Sequence, residues 1–128
     1  MKISMTSIFV DDPIKAHGFY TEVLGFESKE FAADAHLAVV VSPEAPNGTA
    51  LLLEPRGDSF AKTYQESVYN AGLPVMVFGT TDIHAEREKL KKRGVKFRDD
   101  LARPEWGLQN LFEDTFGNLI MIAEISEA

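Results

Sequence analysis

The sequence predicts an α+β fold built from two tandem βαβββ modules, and three observations carry that expectation. Two helix-sized segments each open on an aspartate and stop at a glycine, Asp12 to Gly25 and Asp82 to Gly94. These marks, together with the turn glycines Gly48 and Gly117, recur at spacings of 69 or 70 residues. The stretches between them are short, rich in apolar and β-branched residues, and bounded by Pro, Gly or Asn, as strands are. A mostly antiparallel sheet of eight strands, with the helices on its outer face, gives both helices a surface to cover.

Taken in order, residues 3–10 read as a strand. Asp12-Pro13 then opens a helix: the carboxylate accepts from a free backbone N–H, and proline suits the first helical position, where no N–H is needed. Ala16, Phe19, Tyr20, Val23 and Leu24 form one apolar stripe, and Gly25 ends it as a left-handed residue. Strands are expected near 26–31, at His36–Ser42 and at Thr49–Glu54. A connecting helix over 59–71 carries Phe60, Tyr64, Val68 and Ala71 on one side; Phe60, Tyr64 and Tyr69 are read as core packing, with capping of the cleft as the alternative. The second half repeats the order: a strand at Val75–Phe78, a helix at Ile83–Arg93, and strands at 95–98, 108–113 and 119–125. Modules 1–56 and 73–128, joined by the helical linker 57–72, are expected to make a single domain over residues 1–128.

Composition excludes several kinds of function. With no cysteine among 128 residues, disulfides, thiolate nucleophiles and Cys-based metal sites are impossible. Acidic residues outnumber basic ones 20 to 13, a formal net charge of −7, so a nucleic acid meets net repulsion. Lys89, Lys91, Lys92 and Arg93 read as the solvated end of a helix. No apolar run approaches the roughly 20 residues that cross a bilayer. Met1-Lys2-Ile3 leads straight into a strand with no secretory pattern, so a cytoplasmic location is expected. The three histidines, His17, His36 and His84, fall in no ligand spacing, and no nucleophile elbow or phosphate loop is present.

Several segments together resemble the vicinal-oxygen-chelate superfamily, the group of glyoxalases, bleomycin resistance proteins and extradiol dioxygenases. They are Val10-Asp11-Asp12-Pro13, Phe19-Tyr20-Thr21-Glu22-Val23-Leu24-Gly25-Phe26, Leu51-Leu52-Leu53-Glu54-Pro55 and Glu113-Asp114-Thr115-Phe116-Gly117-Asn118-Leu119-Ile120. The resemblance spans essentially the whole chain. It implies a curved sheet around a cleft, a homodimer, and either catalysis or simple binding. Metal-using relatives place His, Gln or Glu at four strand positions. Carried over by the surrounding motifs, these are Met5, Leu51 or Leu53, Val75 and Met121, none of which binds a hard or borderline divalent ion. A slip of one residue would offer Glu54, which should face opposite to Leu51 and Leu53.

The expected function is therefore metal-independent binding of a small organic ligand, a drug or an aromatic or cationic metabolite, in an apolar cleft with no cofactor. Met5, Leu51, Leu53, Val75 and Met121 would line it. Trp106 is expected to stack on the ligand and Gln109 to orient it; alternatively Trp106 covers the end of the sheet and Gln109 faces solvent. The other reading is a glyoxalase-like lyase or isomerase, or a dioxygenase, that uses a divalent metal at a non-family site or acid–base residues such as Glu54 or Glu124 without metal; a third is a structural or regulatory dimer with a vestigial cleft.

Overall fold

A computed structural model describes residues 1–105 and 107–125. The chain divides into two units, Met1–Gln65 and Glu66–Ala128. The first holds strand β1 (Met5–Val10), helix α1 (Pro13–Gly18) and strands β2 (Glu27–Ala32), β3 (Leu37–Val41) and β4 (Ala50–Pro55). Helix α2 (Phe60–Asn70) spans the boundary. The second unit holds β5 (Pro74–Gly79), α3 (Ile83–Lys92), β6 (Phe97–Ala102), β7 (Gly107–Glu113) and β8 (Leu119–Ile125). Each of these begins 69 or 70 residues after its counterpart, and the sheet orders match as β1-β4-β3-β2 and β5-β8-β7-β6. The α+β fold with βαβββ modules is thus observed, as two mixed four-stranded sheets. In each, one parallel pair (β1 with β4, β5 with β8) joins two antiparallel pairs.

Local chemistry sets the helix limits. Asp12 Oδ1 accepts from the N–H groups of Ile14 and Lys15 at 3.1 and 3.2 Å, and Asp82 Oδ1 from that of Ala85 at 3.1 Å. Gly25 and Gly94 take φ of +87° and +89°, a conformation costly for a side chain with a Cβ. The first helix does not run regularly to Gly25. After Gly18 it widens into a π-type turn over Phe19–Val23, where the Thr21 hydroxyl donates to the His17 carbonyl at 2.8 Å. His36, expected to open a strand, instead forms a left-handed turn ahead of β3, with φ of +50°.

Side chains alternate along a strand, so the register assigns each residue to a face. In the first sheet, Ile8, Val10, Leu51, Leu53, Ala38 and Val40 share one face, and all are buried. Met5, Phe9, Leu52, Glu54, Ala50, Val39 and Val41 share the other. On that second face Val39, Val41 and Ala50 cluster with Leu37 and Leu52 and with no residue of α1. Since α1 rests on β3 and β4, it covers the first face, with Ala16 and Tyr20 buried. In the second sheet α3 covers the face of Phe112, Ile120, Ile122 and Asn110. Arg87 lies over the Phe97 ring at 5.4 Å, and its Nε donates to Asn110 Oδ1 at 2.7 Å. This arginine explains why the α3 stripe is thin, with only Ile83 and Leu90 buried.

Helix α2 corrects one expectation. Phe60 and Tyr64, read as core, are 82% and 55% exposed, whereas Ala61 and Gln65 are buried. The buried stripe lies one residue further along because Gln65 is fully engaged. Its Nε2 donates to the Phe9 carbonyl at 2.8 Å, and its Oε1 accepts from Arg56 at 2.7 Å. An apolar count along the helix cannot register a buried glutamine of this kind.

The β7–β8 turn is built on Asp114, which is wholly buried. Its Oδ1 accepts from the N–H groups of Phe116 and Asn118 at 2.7 and 3.0 Å, and its Oδ2 from Asn118 Nδ2 at 2.8 Å. Gly117 supplies the φ of +99° that this loop needs.

The face assignment makes a measurable prediction. Leu53→Ala should lower unfolding stability by about 2–5 kcal/mol in urea titration, the usual cost of a cavity in a packed core. Met5→Ala, at a site 52% exposed, should cost far less. Equal costs at the two positions would contradict the assignment.

Candidate functional site

The residues expected to line a ligand site separate into two groups. Met5 sits beside Ala50 on the first-sheet face turned away from α1, with Phe9, Leu52 and Glu54. Leu51 and Leu53 lie on the opposite face, under α1, 8% and 0% exposed. In the second sheet Met121 pairs with Val77 and Leu111, and Gln109 pairs with Ala123. All five share the face turned away from α3. Val75 occupies an irregularity in pairing between Pro74 and Met76, half-buried. Trp106 lies outside the described residues. The structure therefore brings Met121 and Gln109 together and sets Leu51 and Leu53 apart from Met5.

The two carboxylates held open by the sequence also divide. Glu54 shares the face of Met5 and is half-buried. Glu124 pairs with Leu108 on the α3 side, and its Oε2 accepts from the Ile83 N–H at 2.9 Å. There it adds negative charge at the helix N-terminus, a structural role. His17 is likewise structural. Its ring stacks on Phe31 at 4.1 Å, its Nε2 meets the Ser28 hydroxyl at 2.8 Å, and burial lowers its pKa.

These positions do not fit a divalent-metal centre. Met5, Val75 and Met121 offer only hydrocarbon and thioether, and Glu54 is a single carboxylate. Among the described residues no group of three or more His, Asp or Glu side chains converges. Zinc, nickel and iron sites of enzymes need about three protein nitrogen or oxygen ligands.

One cluster is not foreseen from sequence patterns. Tyr69, near the end of α2, donates its hydroxyl proton to Glu113 Oε1 at 2.5 Å. Arg98 Nη2 donates to both, at 2.9 Å to Tyr69 and 3.1 Å to Glu113, and the guanidinium lies 5.1 Å from the Tyr69 ring centroid. The hydrogen bond to the Glu113 carboxylate holds the Tyr69 pKa above 10.0, with burial adding to it. A signal does exist in the hairpin register: Glu113 is two residues from Leu111 and so shares its face, and Arg98 pairs with Leu111. Glu113 closes the strand expected at 108–113, but no local pattern joins it to Tyr69 or Arg98, which are distant in sequence.

Comparisons with known proteins agree with this architecture. The model of the Glyoxalase/Bleomycin resistance protein/Dioxygenase superfamily matches residues 2–122. YurT of Bacillus subtilis (strain 168) is 43% identical over 126 residues, covering 97% of this chain and 99% of its own. TnmS3, an antibiotic binding protein from Streptomyces sp. CB03234, aligns with a TM-score of 0.74 and 26% identity, covering 98% of this chain and 97% of its own. UcmS2 aligns with a TM-score of 0.81, covering 96% of this chain and 97% of its own; at 23% identity this likeness shows the fold alone.

The tyrosine cluster has a titration signature. The folded pKa of Tyr69 lies above the unfolded value of 10.0, so the contact's stabilisation is fully present below pH 10 and is lost as pH rises through the folded pKa. Phenolate absorbance of the protein minus that of Tyr69→Phe should show a tyrosine ionising above pH 10. Glu113→Gln should move it down. A difference titration at or below 10 would contradict the cluster.

Proposed function

Because the chain belongs to the glyoxalase/bleomycin resistance protein/dioxygenase superfamily, we propose that it is a receptor that binds a small organic ligand without a metal. The observation that carries this reading is the chemistry of the sheet faces turned away from α1 and α3, which α2 borders through Tyr64 and Tyr69. Where metal-using relatives place donors, this chain has Met5 and Met121, flanked by Leu52 and Phe9 in one sheet and by Val77 and Leu111 in the other. Thioether and hydrocarbon walls take up apolar and aromatic groups, at about 25 cal/mol per Å² removed from water. Methionine side chains adapt to irregular ligands at little cost. Gln109, on the face of Met121, supplies a donor and an acceptor to fix the pose.

Ligand class follows from charge and from likeness. A formal charge of −7 favours a cationic or neutral ligand over an anionic one on these faces. TnmS3 is an antibiotic binding protein, and its similarity over nearly the full chain supports a drug-like or aromatic ligand here. The proposal extends to both units acting as one domain, to a homodimer and to a cytoplasmic location. These rest on the family resemblance and the Cys-free composition. Within the described residues no helix is long and apolar enough to cross a membrane.

A thermal-shift screen against cationic and neutral aromatic antibiotics tests the reading. A true ligand at about 100 times its Kd adds roughly 2.7 kcal/mol of stability and raises Tm. Met121→Asp should then weaken binding of that ligand at least tenfold, about 1.4 kcal/mol, with Tm of the free protein measured alongside. Undiminished binding in Met121→Asp, or turnover of the ligand into product, would contradict a receptor that works through this face.

A further inference from the structure

The second unit contains a cavity of about 280 Å³ lined by Tyr69, Lys96, Glu113, Thr115, Gly117 and Asn118. It includes neither Met121 nor Gln109, and its chemistry is the opposite of theirs. We propose that it is a separate binding site for the carboxylate group of a small organic acid.

Glu113, the acidic residue in the wall, is engaged through one oxygen, Oε1, which accepts from both Tyr69 and Arg98. The ion pair with Arg98 offsets its charge. Asp114, beneath the turn, is committed too, with three N–H donors shared between its two oxygens. Lys96 has no such partner: among the described residues no carboxylate forms an ion pair with it. It stands two residues before Arg98 on the same edge of the sheet, so the wall carries a cation in excess of its neutralised pair.

The turn adds donors. Asp114 Oδ1 takes the N–H groups of residues 116 and 118. The intervening N–H groups, those of Thr115 and Gly117, have no acceptor among the described residues, and both residues line the cavity. Positive φ at Thr115 (+67°) and Gly117 (+99°) gives the alternation that separates the two sets of donors. An ammonium and two backbone N–H groups, beside a Glu113 charge offset by Arg98, match an anion.

Size narrows the ligand. At about 280 Å³ the cavity is just below the range of drug-sized sites, which begins near 300 Å³, so it suits a fragment-sized acid. The Tyr69 ring, held by Glu113 and Arg98, gives the acid's carbon chain a fixed wall to lie against. Arg98 is a positioning residue here; Lys96 and the turn N–H groups meet the carboxylate, and the Tyr69 ring meets the carbon chain. The site lies on the same sheet face as Met121, at its turn end, but includes neither Met121 nor Gln109, so its test is distinct from that of the receptor proposal.

Propionate, with its neutral isostere propionamide, is the probe. Amide chemical shifts of the full chain are followed on titration with sodium propionate at constant ionic strength. The expected result is saturable shifts at Thr115, Gly117 and Asn118, with no shifts there on adding propionamide. Lys96→Gln should weaken binding at least fivefold while leaving Tm and the remaining amide spectrum unchanged. Lys96→Arg, which restores the charge, should recover most of the affinity. No saturable shift at the turn, equal response to propionamide, or unchanged affinity in Lys96→Gln would each overturn the proposal. Inorganic phosphate binding there while propionate does not would overturn it as well.

Discussion

The two-residue alternation of side chains along each strand is the constraint on which the rest of this structure depends. It places Ile8, Val10, Leu51 and Leu53 under α1, and Phe112, Ile120 and Ile122 under α3. The remaining half of each strand points to the opposite face, where Val39, Val41, Ala50, Leu119 and Ala123 are buried as well while Met5 and Val77 stay exposed. A slip of one residue in either register would bring Met5 and Met121 into a helix-covered core and turn Leu53 and Ile120 outward. Hydrophobic burial on the helix sides opposes such a slip, and the capped helix ends oppose it again by fixing where each helix begins.

Polar anchors complement that burial where the apolar count is low. Gln65 ties α2 to β1 through the Phe9 carbonyl, and Asn110 joins α3 to β6 through Arg87 and the Arg98 carbonyl. Each is buried with its side-chain groups satisfied, so each locates its helix more specifically than an aliphatic contact would. Asp114 does the same for the β7–β8 turn. In that turn the aspartate serves as acceptor, the glycine as left-handed hinge and the asparagine as donor.

Much of this was legible in the sequence because the signals were local. Asp12 and Asp82 cap helices, Gly25 and Gly94 take the left-handed conformation, and the 69–70-residue offset reappears in two sheets of identical order. The site was less legible because it depends on pairs distant in sequence. Facing of the β4 residues requires the register with β1, and only that register sets Leu51 and Leu53 apart from Met5 and leaves Glu54 beside it. The Tyr69–Glu113–Arg98 cluster joins a helix end to two strands, and no short motif announces it. The π-type turn after Gly18 was hidden too, since an apolar stripe reads the same through a regular or a widened turn.

The proposed function turns on donor chemistry: thioether and hydrocarbon stand at Met5, Val75 and Met121, and Glu54 is the single carboxylate on the face of Met5. Equilibrating the purified chain with equimolar zinc and nickel, removing unbound ions and measuring metal per chain tests this most directly. The account predicts far less than one tightly held ion per chain. About one per chain, lost on replacing Glu54 by Gln, would show a coordination sphere and contradict it.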